Sequence, residues 1–126
     1  ICEPGLAAAI RSVSTPFGVN LPAQAAAAAA LGETELTRTA ERSATVAAER
    51  DRVVDALRAQ GWQVPDAQGN FFWLGVGDET AALAEHFRAA GILVRPFVGE
   101  GVRVSIGTTS DNERVLAAAA AWSAEH

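Results

Sequence analysis

The segment from Glu33 to Gly61 carries an uninterrupted helical pattern, and it limits the architecture more than any other part of the 126-residue chain. Small and apolar residues recur along it at intervals of three and four, while Glu and Arg fill the other side. We therefore predict a long amphipathic helix that ends at Gly61, with the "ERDR" cluster as a solvated face of i,i+4 pairs. The apolar positions are Leu36, Ala40, Ala44, Ala47, Ala48, Val54 and Leu57.

Two shorter helices are predicted before this segment. Pro4 is suited to the first turn of a helix that runs to Val13. The loop "STPFGVN" follows, and a second helix begins at Leu21, contains the alanine run 25–30 and ends before Gly32. A proline near the start and a glycine after the end are typical of a helix, and they favour this interpretation over the alternative that the alanine run is a low-complexity segment.

After Gly61 the pattern changes to short strands and two further helices. We expect Asp78 to cap the helix in "DETAALAEHFRAAG" and Ser110 to cap the helix in "SDNERVLAAAAAW". Three helices followed by a β-β-α-β-β-α order indicate an α+β fold, with a small, mostly antiparallel sheet of three to four strands covered on one face by helices. The predicted strands are "WQVP", "NFFWLGV", "ILVRPF" and "VRVSIGT".

Composition excludes several classes of function. Fifteen acidic against ten basic residues give a net charge of -5, which argues against a nucleic-acid surface. No apolar run approaches the roughly 20 residues of a membrane span. The single Cys2 cannot form an intrachain disulfide, so the cytoplasm is the expected compartment. His86 and His126 lack partners at metal-ligand spacing, so we predict no metal site.

Two arginines lie inside the apolar hairpin "ILVRPFVGEGVRVSIGT". With a three-residue "GEG" loop, Val98 opposes Val102, and Arg95 and Arg103 become diagonal neighbours roughly 7 to 8 Å apart at their backbones. Guanidinium groups bind carboxylate or phosphate in bidentate fashion, so an anion between them is one hypothesis. The alternative is that each arginine is exposed or reaches an acid elsewhere in the fold. The predicted apolar face is Ile92, Val94, Val98, Val102, Val104 and Ile106, and the opposite face carries Arg95, Phe97, Arg103 and Ser105.

The aromatic strand "NFFWLGV" also alternates. Phe72 lies on the opposite face from Phe71 and Trp73, so the residues of this strand are either all core or line a cleft on one side.

Three stretches together carry a resemblance to a known family. They are "SVSTPFGVNLPAQAAAAAAL", "RDRVVDALRAQGWQVPDAQGNFFWL" and "AAGILVRPFVGEGVRVSIGTTSDNERVLAA". In order and spacing they resemble the C-terminal portion of the fold-type I pyridoxal-phosphate aminotransferases, in the histidinol-phosphate and aromatic amino-acid branch. The resemblance implies that residues 1–34 are the end of a large domain with a connecting loop and helix. It implies that residues 35–126 are the long helix and the C-terminal small domain.

The resemblance also assigns roles. Arg103 matches the arginine that binds the substrate α-carboxylate, or the phosphate of histidinol phosphate, and Arg95 matches a second arginine that contacts that phosphate. The "STPFGVN" loop resembles one that approaches the neighbouring subunit's active site in a homodimer, which makes Asn20 a third candidate for substrate binding. An amino acid or histidinol phosphate and a 2-oxo acid are the implied substrates, with pyridoxal 5'-phosphate as the implied cofactor.

The departure from the family lies in the catalytic residue. All ten basic residues are arginines, so the lysine that forms the Schiff base in this family is absent from the chain. The chain also lacks Met, and we expect a fragment of a longer enzyme, inactive alone. The alternative function is a stand-alone α+β module that binds small ligands or proteins through the face with the two arginines.

Overall fold

The structure, a computed structural model, describes residues 2–125, and for Glu125 only the backbone. The chain divides into two compact units, Ile1–Ala40 and Glu41–His126. The longest helix, Glu33–Ala59, begins in the first unit and ends in the second. The domain boundary predicted between residues 34 and 35 lies earlier in this same helix than the boundary between the two units.

The first unit contains α1 (Pro4–Val13), α2 (Leu21–Ala30) and the start of α3 (Glu33–Ala59), which confirms the three predicted helices. The Glu3 carboxylate accepts hydrogen bonds from the backbone N–H groups of Gly5 and Leu6, which otherwise have no partner at a helix start. No residue of α1 or α2 is buried, so neither helix contributes to a core within the described residues.

The second unit contains the remainder of α3, a three-stranded sheet and two more α-helices. Its elements are β1 (Phe71–Gly75), a 3₁₀ turn (Gly77–Glu79), α4 (Thr80–Ala89), β2 (Arg95–Phe97), β3 (Gly101–Ser105) and α5 (Thr109–Glu125). The strand order is β1-β3-β2, and both pairings are antiparallel. This arrangement confirms the predicted α+β class and the small antiparallel sheet.

The core of the second unit lies between one face of the sheet and the helices. Period-2 alternation sends every second side chain of β1 and β3 to that face, and residues from α3, α4 and α5 cover them. Burial of this apolar surface stabilises the layer. On the opposite face of β1 and β3, Phe71 and Ser105 are exposed and Trp73 and Arg103 are half-buried. The fully buried members are Val53, Leu57, Phe72, Leu74, Leu83, Phe87, Val102 and Ala119.

The predicted strand "WQVP" is wrong. Residues 62–68 form no strand, although Val64 is buried. The Val64 carbonyl accepts hydrogen bonds from Nε and Nη2 of Arg58, and Pro65 has no N–H to donate to a neighbouring strand. The segment therefore packs against α3 instead of joining the sheet.

Both helix caps predicted in this unit are also wrong. Asp78 lies within the 3₁₀ turn that precedes α4, and Glu79 occupies the N-cap position without a side-chain hydrogen bond. At α5 the cap is Thr108 rather than Ser110. The Thr108 hydroxyl accepts from Asp111 N–H at 3.2 Å, and the Asp111 carboxylate accepts from Thr108 N–H at 3.3 Å, which is a capping box.

A buried asparagine fixes the end of β3 to the helices. Asn112 is 1% exposed, and its side chain exchanges two hydrogen bonds with the backbone of Gly107. Its Nδ2 also donates to Glu49 Oε1 at 3.1 Å, and the Glu49 carboxylate pairs with Arg52 at 2.7 Å. The hydrogen bond from Arg52, followed by the one from Asn112, lowers the pKa of Glu49 to about 2. This network joins α3, α5 and the residues that follow β3.

Candidate functional site

The register of the hairpin differs from the prediction by two residues. Arg95 pairs directly with Arg103 and Phe97 with Gly101, so the loop is Val98–Glu100 rather than "GEG". Glu100 N–H donates to the Phe97 carbonyl at 2.9 Å, and Gly99 has φ +80, a value that favours glycine. Val98, predicted on the apolar face, lies in this turn and is 88% exposed.

Gly101 explains why the loop ends where it does. A Cβ at this position would collide with the Leu74 carbonyl oxygen, and it would lie 2.8 Å from Cζ2 of Trp73. Residue 101 is therefore part of β3, where only a glycine leaves room for the indole of the neighbouring strand. No pattern within the hairpin itself signals this contact.

The prediction that both arginines share one face is confirmed. A register change of two residues leaves the side-chain alternation unchanged, so Arg95 and Arg103 still lie on the face opposite the core. They are direct cross-strand partners, however, and not the predicted diagonal pair. We call this surface the arginine face, and it consists of Phe71, Trp73, Arg95, Phe97 and Arg103.

The two guanidinium groups of the arginine face lie over different aromatic rings. Cζ of Arg103 lies 5.3 Å from the centroid of Phe71, and Cζ of Arg95 lies 5.3 Å from the centroid of Phe97. Phe71 pairs with Ser105, and Phe97 pairs with Gly101, so the rings lie on opposite sides of the arginine pair along the strands. The side chains thus diverge, and this reduces their repulsion without an anion between them.

Neither arginine of this face forms an ion pair or hydrogen bond within residues 2–125, and the alternative of an acidic partner finds no support there. Arg103 is half-buried, and its Nε is a buried donor without a hydrogen-bond partner. An unmade bond of this kind costs ~1–3 kcal/mol, so the position suits a cation that awaits a ligand. Other arginines are paired with acids, namely Arg38, Arg50, Arg52, Arg58 and Arg88.

Aromatic rings flank the guanidinium groups. Trp73 is the direct partner of Arg103 on β1, and its ring meets Phe97 edge to face with centroids 5.5 Å apart. A Cβ at Gly75 would lie 3.3 Å from Nε1 of Trp73, so the indole lies against glycine backbone. The face therefore offers a positioned cation beside a flat apolar surface, which suits an anionic ligand with an aromatic part. The predicted separation of Phe72 from Phe71 and Trp73 is confirmed, since Phe72 is buried.

Asn20 lies in the first unit, where it caps α2. Its Oδ1 accepts from Ala23 N–H at 2.9 Å, which accounts for an asparagine at this position. The amide Nδ2 is not used in this bond, and a substrate contact by Asn20 stays a prediction.

The remaining candidates have structural roles or none. His86 lies within hydrogen-bond distance of the Ala118 carbonyl, with Nε2 at 2.9 Å, and its ring meets Trp122 edge to face. Cys2 is exposed, and His126 lies outside the described residues. Over residues 2–125 no three His, Cys, Asp or Glu side chains gather as metal ligands, and no helix has the length and apolarity to cross a membrane.

Sequence reasoning missed the pairing of each arginine with its own phenylalanine. The alternation of "NFFWL" placed Phe71 and Trp73 on one face, but the order of the strands was needed to bring that face beside Arg103. Because β3 lies between β1 and β2, the predicted strand "NFFWLGV" borders the second half of the hairpin. Strand order is a tertiary property that the local pattern does not contain.

The sequence matches a known protein family over nearly its whole length. The family model "Aminotransferase class I and II" matches residues 1–119. The aromatic amino acid aminotransferase of Streptomyces coelicolor is 49% identical over 92% of this chain and 32% of its own length. That of Thermobifida fusca is 49% identical over 94% of this chain and 33% of its own length.

A solved structure supports the same grouping. A Burkholderia pseudomallei protein assigned as an aminotransferase superposes with a TM-score of 0.70 at 31% identity, over 94% of this chain and 37% of its own. The chain spans about a third of the length of the curated relatives it matches. Since the family model covers nearly all of the 126 residues, the chain belongs to the class I and II aminotransferases.

Proposed function

We propose that the full-length protein transfers an amino group between an aromatic amino acid and a 2-oxo acid, and that Arg103 binds the substrate carboxylate. The observation that carries this proposal is the environment of the Arg103 side chain. Its guanidinium is half-buried, stacked on Phe71 and without an ion pair in residues 2–125. A cation placed in this way suits a carboxylate supplied by a ligand.

Arg103 would act by orientation. A guanidinium presents parallel N–H groups that match the two oxygens of a carboxylate, so it fixes the direction of the substrate as well as its position. The ring of Trp73 on the adjacent strand is available to an aromatic side chain on the same face. Binding that holds the amino group in one place lowers the entropic part of the barrier to reaction.

An aromatic amino acid is favoured over histidinol phosphate as the substrate. The relatives from Streptomyces coelicolor and Thermobifida fusca are both named aromatic amino acid aminotransferases. The divergence of Arg95 and Arg103 also argues against a phosphate shared between them. We therefore propose that Arg95 would contact substrate only if the anionic group of that substrate were a phosphate, as in histidinol phosphate, which has no carboxylate.

The residues of this chain do not fit pyridoxal 5'-phosphate, although the family resemblance implies this cofactor for the full-length enzyme. In this family the amine of a lysine side chain would hold the cofactor covalently, and the chain contains no lysine. The part proposed for them is binding and orienting the substrate.

We further propose that the full-length protein is a homodimer and that Asn20 faces the substrate in the partner subunit. The "STPFGVN" loop supports this idea, because Phe17 has φ +54 and is 98% exposed. A left-handed conformation is uncommon for a phenylalanine, and so large an exposed ring favours a contact with another surface. Light scattering on the full-length protein distinguishes a dimer from a monomer.

The activity is tested with the full-length protein, cofactor and 2-oxoglutarate. Phenylalanine, tyrosine and histidinol phosphate are compared as amino donors, and the glutamate formed is measured. We expect kcat/KM to be highest for the two aromatic amino acids. A preference for histidinol phosphate would shift the proposal to the other substrate, and no glutamate from any donor would contradict an aminotransferase of this kind.

A further inference from the structure

We propose that Phe71 is a positioning residue for Arg103, whose ring holds the guanidinium in the orientation that receives the substrate carboxylate. The inference rests on the proposed function of Arg103 and adds a residue that does not itself bind the carboxylate. It starts from the 5.3 Å distance between Cζ of Arg103 and the Phe71 ring centroid. At this distance the negative face of the ring attracts the cation and restricts its plane.

The place of the Phe71 ring depends on the glycine that precedes it by two residues. A Cβ at Gly69 would lie 2.9 Å from Cε1 of Phe71, so only a glycine leaves the ring undisturbed. The Gly69 carbonyl accepts a hydrogen bond from Nη1 of Arg50 at 3.3 Å, and the Arg50 side chain is only 11% exposed. Arg50 therefore ties this loop to α3, and the loop in turn leaves space for the ring.

A guanidinium held before binding loses less freedom when the ligand arrives. Arginine has a long side chain with many rotamers, and ordering it during binding reduces affinity. Arg103 has no ion pair or hydrogen bond within residues 2–125, so the Phe71 ring is the contact there that orients its charged end. Loss of the ring should weaken carboxylate binding and leave the charge in place.

Phe97 provides a matched control, since it lies under Arg95 at the same 5.3 Å. We would prepare Phe71→Leu and Phe97→Leu in the full-length protein. The inhibition constant of 3-phenylpropionate, an unreactive aromatic carboxylate, and the KM and kcat for phenylalanine would be measured. Phe71→Leu should raise the inhibition constant and KM by about 3- to 10-fold with kcat less affected. Phe97→Leu removes a ring that meets Trp73 but leaves the ring under Arg103 in place, so it should raise both constants by a smaller factor.

Rescue separates positioning from a general structural effect. Phe71→Tyr keeps the ring and should restore both constants to within about 2-fold of the parent. Gly69→Ala crowds the ring without removing it, so it should raise the inhibition constant and KM as Phe71→Leu does. This variant replaces Phe71→Leu in the test if circular dichroism shows that Phe71→Leu does not fold. Equal effects of Phe71→Leu and Phe97→Leu, or no rescue by tyrosine, would overturn the positioning role.

Arg103→Leu separates the proposed carboxylate binding by Arg103 from the proposed positioning role of Phe71. If it leaves the inhibition constant of 3-phenylpropionate unchanged, the proposed function of Arg103 fails. If it raises the constant while Phe71→Leu and Gly69→Ala do not, Arg103 keeps its role and only the inference about Phe71 fails.

Discussion

Arg95 and Arg103 stand directly opposite each other on β2 and β3, and each guanidinium nevertheless lies over a different phenylalanine. Two like charges at this spacing would destabilise the pair if both side chains rose straight from the sheet. The two side chains point in different directions, so the guanidinium groups lie apart and each contacts a different ring. A single anion bridging both arginines is therefore not needed to explain the pair.

The first prediction concerns this separation. Arg95→Leu should change KM for phenylalanine by less than about 2-fold, because an exposed arginine directed away from Arg103 contributes little to an ion pair there. Steady-state kinetics of the full-length protein measures this effect. A KM for phenylalanine that rises as much as it does in Arg103→Leu would show that the two arginines share one carboxylate.

The second prediction concerns the glycine of β3. Gly101→Ala should lower the free energy of unfolding by about 1–3 kcal/mol or more, since the methyl group meets the Leu74 carbonyl and the Trp73 ring. Urea unfolding followed by tryptophan fluorescence measures the change. Gly18→Ala is the control, because a Cβ there has Thr15 O as its nearest neighbour at 3.4 Å. Equal midpoints for the two variants would contradict the close packing on Gly101.

The third prediction concerns pH. Hydrogen bonds from Arg52 and Asn112 hold the pKa of Glu49 at about 2 in the folded protein, against 4.5 for an unperturbed glutamate. The folded pKa is the lower one, so Glu49 stabilises the fold above pH 4.5, and this contribution is lost as the pH falls towards 2. The stability difference between the parent and Glu49→Gln should therefore shrink over this interval. A difference that stays constant between pH 6 and pH 2 would contradict the prediction.

The fourth prediction separates the two roles of Asn20. Asn20→Ala removes the cap of α2 and should cost about 1 kcal/mol of stability, whereas Asn20→Asp keeps an oxygen for Ala23 N–H and should cost little. If the amide also contacts substrate, both variants raise KM for phenylalanine. A normal KM in Asn20→Asp would limit Asn20 to the cap.

The sequence predicted the elements well because their signals are local. The pattern from Glu33 to Gly61 gave α3, and period-2 alternation placed Arg95 and Arg103 on the same sheet face. The errors arose where a second element decides the outcome. Arg58 of α3 takes the Val64 carbonyl that a strand would have used, and Trp73 of β1 requires the glycine that sets the hairpin register.

The predictions of the helix N-cap residues were wrong for a different reason. "TTSDN" offers several residues that are able to cap a helix, and the one used depends on where the strand before it ends. Asn112 binds the backbone of Gly107, and this leaves Thr108 at the position from which its hydroxyl reaches Asp111 N–H. The competition between neighbouring caps is settled by tertiary contacts that no local rule contains.

The carboxylate role of Arg103 is tested most directly by comparing KM for phenylalanine in the full-length parent, Arg103→Leu and Arg103→Lys. A charged hydrogen-bonded pair predicts that Arg103→Leu raises KM by at least about 10-fold. Lysine keeps the charge but loses the bidentate geometry, so its KM should be intermediate. A KM in Arg103→Leu within about 2-fold of the parent, with the protein folded and kcat retained, would contradict a carboxylate-binding role for Arg103.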